Sequence, residues 1–111
     1  MAAKLYGADN APLKIQFITD PHYYSRKGGT EGKAYEKAEA KSQKVIKDSD
    51  LVIKAGFDLL CADTSTDIVV LAGDTTRDGE LASHAEFIEM LRDLKKRGKR
   101  VYVITATHDY R

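Results

Sequence analysis

At 111 residues the chain is long enough for one domain with a buried core and too short for two. Its 42% hydrophobic and 32% charged residues, with a formal net charge of +1, describe an ordinary soluble composition without any overall pull toward nucleic acid or membranes. The single cysteine, Cys61, excludes an internal disulfide; no stretch approaches the roughly 20 apolar residues of a membrane span, and the start lacks a leader's apolar core, which leaves the compartment open.

Taken in order, residues 1–12 read as a small, polar lead-in, poorly ordered or lying over the surface, and residues 13–111 as the domain. Lys14 to Thr19 predicts a first strand in which Ile15 and Phe17 alternate with Gln16 while Ile18 thickens the apolar face. It stops at Asp20-Pro21-His22, because Pro21 has no N–H for a ladder and disfavours helix at Asp20. Tyr23 to Gly32 is a loop of turn residues and polar groups, among them Arg26, a candidate for touching a polar ligand.

From Lys33 to Leu60 the pattern turns helical. Val45, Val52 and Leu59 recur every seven residues beside Ile46, Ile53 and Leu60, giving one apolar stripe and predicting one long helix with Asp48-Ser49-Asp50 on its outer face. After a turn over Ala62 to Thr66 comes Asp67-Ile68-Val69-Val70-Leu71-Ala72-Gly73-Asp74. This run is too short for a helix and β-branched enough for a central strand, so Gly73 turns the chain and Asp74 reaches the strand's carboxyl end.

Asp78-Gly79 breaks the chain, and Ser83 with Glu86 has capping-box spacing at the start of a second helix. Leu81, Ala85, Ile88, Leu91 and Leu94 are its expected buried stripe. The basic run from Lys95 to Arg100 reads as a helix terminus closed at Gly98, and His84 as a solvated residue. A third strand, Arg100 to Thr105, ends at Ala106-Thr107-His108-Asp109. The fold class is therefore α/β: a β-α-β-α-β parallel sheet with flanking helices.

Parallel strands bring Asp20 and His22, Asp74, and His108 and Asp109 to one edge of the sheet, where ligands of open α/β sheets sit. Carboxylates mixed with imidazoles suit Zn, Mn or Fe better than Ca, and one aspartate between two cations can bridge them.

Asp20-Pro21-His22, Gly73-Asp74 and Ala106-Thr107-His108-Asp109, each after an apolar strand, resemble the ordered motifs Asp-x-His, Gly-Asp and Gly-Asn-His-Asp/Glu of the calcineurin-like metallophosphoesterases. The resemblance covers about residues 13 to 111 and implies the amino-terminal half of that family's layered fold, with hydrolysis of a phosphoester substrate at two divalent or trivalent metal ions (Mn, Fe or Zn). On it, Asp20 and His22 would ligate one metal and Asp74 would bridge both. A metal-bound hydroxide would attack phosphorus, His108 would serve the leaving group, and Asp109 would orient the His108 ring.

Two positions depart from the pattern. Thr107 stands where the family's asparagine ligates the second metal, offering a shorter, weaker oxygen, and Ala106 replaces a glycine. The family also supplies further histidines downstream, whereas this sequence holds only His22, His84 and His108. The expectation is thus a chain that holds roughly half of the family's metal shell and needs a missing carboxyl-terminal half for activity, being incomplete or inactive alone, with that half or self-association covering an exposed sheet edge. Two other readings stand beside it: a receiver-like phosphate-accepting module built on Asp74, and a non-catalytic domain with a degraded metal site.

Overall fold

The computed structural model describes residues 2–6, 12–42 and 45–110. Strand β1 (Ala2–Tyr6) pairs antiparallel with β2 (Pro12–Ile18), and β2, β3 (Ile68–Ala72) and β4 (Arg100–Ile104) run parallel in the order β1-β2-β3-β4. The lead-in is thus a strand over Ala2–Tyr6. A sheet edge offers unpaired N–H and C=O groups to any nearby extended segment, whatever its polarity.

Between β2 and β3 lie two helices, α1 (Lys33–Lys41) and α2 (Ser49–Ala62), in place of the single helix expected over 33–60. Two of the intervening residues, 43 and 44, lie outside the described set. The chain leaves α1 through an extended Ser42, and Ser49 and Asp50, read as outward facing, are buried at the new helix start. The break frees the second segment to choose its own face: Ile46, Ile53, Phe57 and Leu60 turn inward, whereas Val45, Val52 and Leu59 stay 64%, 61% and 74% exposed.

The connection from β3 to β4 is α3 (Leu81–Lys96). Its buried stripe is Ser83, Phe87 and Leu94, with Met90 and Leu91 packed alongside; Leu81 is 84% exposed and Ile88 46%. Ser83 and Glu86 are drawn into the loop after β2 and do not cap the helix, whose N-cap is Glu80. Ser83 Oγ accepts from the Ser25 N–H (3.0 Å), and Glu86 accepts from the Tyr23 hydroxyl (2.5 Å) and pairs with Lys27 (3.2 Å). Burial and the Glu86 carboxylate raise the Tyr23 phenol above its ordinary range. Within the basic run Lys99 is buried, its Nζ donating to the carbonyls of Asp63 and Thr66, both at 2.6 Å, and so tying the turn before β3 to the start of β4.

Helices α2 and α3 pack on each other, with Phe57 and Phe87 edge to face at 5.4 Å. Both cover the sheet face carrying Val69 and Leu71, and the core is Tyr23, Phe57, Val69, Leu71, Phe87 and Leu94. Strand register puts Phe17, Val70 and Tyr102 in one row on the opposite face, with Ala72 and Ile104 in the next. That face is open: Phe17, Tyr102 and Ile104 are 36%, 56% and 62% exposed.

The two stripes on α3 make different forecasts. Leu94→Ala, at a side chain with no exposure, should cost about 2–5 kcal/mol of unfolding free energy, and Leu81→Ala less than about 0.5 kcal/mol. Urea denaturation reads both, and equal losses would reinstate the stripe drawn from sequence.

Candidate metal centre

The strand ends are locked together beyond the sheet proper. The Asp20 N–H donates to the Gly73 carbonyl (3.2 Å), that of His22 to Asp74 (3.0 Å) and that of Tyr23 to Thr75 (3.0 Å), so the two loops continue the parallel ladder. Asp20, His22 and Asp74 all have positive φ (51°, 46° and 48°), the full set of such non-glycine residues among those described. L residues avoid this region, and its occupants cluster where function over-determines the backbone. Gly73 precedes Asp74 at φ 89°, and a Cβ there would stand 2.6 Å from that of Ala106. Only glycine fits both the turn and this close approach.

These conformations bring three of the predicted residues together. One ligand atom each from His22, Asp74 and His108 lie within 4.8 Å of one another, and the two imidazoles meet edge to face at 4.9 Å. Asp20 lies beside that group and not within it, its exposed side chain placing Oδ1 3.8 Å from His22 Nε2. Asp74 Oδ1 accepts from the His108 N–H (2.9 Å) and from the Thr107 hydroxyl (3.5 Å), so Thr107 touches the cluster through Asp74.

Asp109 does something other than orient the His108 ring. Its buried carboxylate accepts from the Thr75 hydroxyl (2.5 Å), the Thr76 N–H (2.9 Å) and the Ala106 N–H (2.9 Å), pinning the β4 loop to the β3 loop. Burial raises its pKa, but these hydrogen bonds to the charged form outweigh burial and hold Asp109 below the usual carboxylate range. The imidazole of His108 is held instead by the Arg77 carbonyl, 2.7 Å from Nδ1, and by Asp78 Oδ1 at 3.2 Å. Both partners are acceptors, which places the proton on Nδ1 and the lone pair of the neutral ring on Nε2.

Asp78 is the residue that sequence reasoning missed: its Asp-Gly pair signals a turn, and only the fold carries that turn to His108. His84, read as solvated, is half-buried with Nε2 at 3.0 Å from the Asp109 carbonyl. Arg26 donates through Nε to Asp50 (2.9 Å) and through Nη2 to the Lys47 carbonyl (3.4 Å), which engages its guanidinium in holding the start of α2.

The donor set fits a borderline divalent cation: two imidazoles and the Asp74 carboxylate, with the exposed Asp20 carboxylate beside His22, the chemistry of Zn, Mn or Fe sites. His22 Nδ1 adds a second sign, being shielded from solvent and without a hydrogen-bond partner among the described residues. Such a buried nitrogen is costly unless something satisfies it. No protein-family model matches the chain, and no curated protein is significantly similar to it.

Gly73→Ala should lower stability by roughly 1–3 kcal/mol, through the positive φ and the Ala106 contact together. Asp109 has a depressed pKa in the fold, so its contribution is fully present above the unfolded value near 4 and is lost as the pH falls through the lower folded value. Denaturation from pH 7 down to 2 should show stability falling below about pH 4. Asp109→Asn should lower the curve at pH 7 and flatten that acid limb, and a limb parallel to the wild type would refute the assignment.

Proposed function

We propose that the chain carries the metal-binding edge of a phosphoesterase like the calcineurin-like metallophosphoesterases, acting on phosphoester substrates. The observation that supports this most is the convergence of the three strand-end motifs on His22, Asp74 and His108 within 4.8 Å. Composition alone gives no reason for those groups to meet.

In this reading His22 and Asp74, with Asp20 beside them, would hold the first ion. When bound, a divalent cation polarises a phosphoryl oxygen and acidifies a water molecule. On the resemblance Asp74 would be the residue shared with a second ion, for which the cluster offers no further ligands among the described residues. The chain's own groups do the rest. The loops fix the backbone at Asp20, His22 and Asp74, so only side-chain ordering remains for the moment of reaction. With Nδ1–H held by the Arg77 carbonyl and Asp78, the other nitrogen of His108 would serve the leaving oxygen by donating a proton to it. Asp109 keeps the loop carrying His108 in place.

Titration with Mn²⁺ followed by calorimetry, together with assays on aryl phosphomonoesters and diesters, tests the reading. Metal-dependent hydrolysis should be abolished by chelation and by Asp74→Asn, and His108→Asn should reduce kcat by about 10²- to 10⁴-fold. A chain that binds no Mn²⁺, or an Asp74→Asn variant with full activity, would end it.

A further inference from the structure

A partly enclosed apolar groove begins at the metal-binding edge and runs between α2 and the end of β2. One cavity of about 330 Å³ has Asp20 and His22 at one end and Val45, Val52 and Ile53 along its walls. A second, of about 300 Å³, shares Pro21, Val52 and Ile53 with the first and continues over Gly56, Phe57 and Leu60. From Val52 to Leu60 the helix covers about 12 Å. Ser49, the polar group in the wall besides the cluster itself, already has a partner in its own chain, its Oγ accepting from the Tyr24 N–H at 3.1 Å.

Resting on the reading of the cluster given above, we propose that this groove selects the substrate: a phosphoester whose organic part is an unbranched alkyl or acyl chain. A ligand that fills it must be anionic or metal-seeking at one end and apolar along the rest. The volume and the predominantly apolar wall with polar groups at one end are those of small-molecule sites. The groove also accounts for two exposed valines, since Val45 before α2 and Val52 on it are 64% and 61% exposed at the place where such a chain would lie. Each methylene laid against these walls leaves water and contributes to binding, whereas the described side chains lining the second cavity have no polar atom to hydrogen-bond a sugar or a base.

Non-hydrolysable butyl-, hexyl- and octylphosphonates, titrated calorimetrically into the full chain with Mn²⁺, give a readout independent of turnover. Affinity should climb about twofold to fourfold per methylene. Val52→Lys, at an exposed position where folding is not at stake, should abolish the climb; Leu59→Lys, on the same helix but outside both cavities, should keep it. A flat series, a climb that survives Val52→Lys, or an equal climb for alkyltrimethylammonium ions would overturn the proposal. So would a dimer in sedimentation that competes with the phosphonates, since a second copy would then be the occupant. Hydrolysis of aryl phosphates with a flat series would sink the groove and keep the phosphoesterase; a climb without hydrolysis of any ester would keep the groove and sink the phosphoesterase.

Discussion

The left-handed backbone at Gly73 and Asp74, wedged against Ala106, is the constraint on which the rest of the centre depends. A residue in that region costs on the order of 1–3 kcal/mol when it is not glycine, and Asp20, His22 and Asp74 all occupy it. What holds them there is the ladder carried past the strand ends, from Asp20 to Gly73, His22 to Asp74 and Tyr23 to Thr75. Each backbone bond fixes one loop by the other, so neither can relax alone. The Asp109 carboxylate closes the third side by gripping Thr75, Thr76 and Ala106 at once. The site is therefore preorganised by backbone, and its side chains inherit their positions.

The architecture behind it is one-sided. Helices α2 and α3 cover the Val69 and Leu71 face and meet through Phe57 and Phe87, while the row of Phe17, Val70 and Tyr102 faces outward. Exposure of 36% and 56% at the outer two of these rings is a large apolar area for a functional surface to leave in water. Placing both helices on one face has a benefit for the cluster: α3 anchors the loop after β2 through Ser83 and Glu86, and α2 anchors it through Ser49 and Asp50. The loop that carries His22 is thus clamped from two sides by elements that belong to the same layer.

Much of this was legible in the residues. The alternating run around Ile15 and the apolar runs around Val69 and Val101 mark strands, and helical crossovers between them make those strands parallel, so the polar groups just after each run fall at one edge. Less legible were features decided by contacts distant in sequence. The heptad columns on residues 45–60 contain both Val52 and Ile53, and periodicity cannot say which column faces the sheet once the helix is cut near Ser42. Ser83 and Glu86 have cap spacing, but a buried backbone N–H at Ser25 and the Tyr23 hydroxyl claim them. Asp78 and Asp109 exchange the roles their positions suggest, because the turn at Asp78 folds back to His108 while Asp109 points into the loop junction.

The two departures from the phosphoesterase pattern have different physical weights. At Ala106 the backbone is extended, φ −136° and ψ −169°, a conformation open to any residue, so glycine is not needed for the turn. Its methyl group fits because Gly73 across from it has none, and the pair trades one Cβ between two loops. Thr107 is another matter. Its hydroxyl lies 3.5 Å from Asp74 Oδ1, the oxygen that also accepts from the His108 N–H. An asparagine oxygen in that place would add a ligand, whereas a hydroxyl proton directed at Asp74 draws on a lone pair that a bridging carboxylate needs. In the proposed reading the residue at 107 would therefore disfavour a second ion twice, by removing one donor and by engaging another, and would leave a single ion the donors gathered around His22 and Asp74.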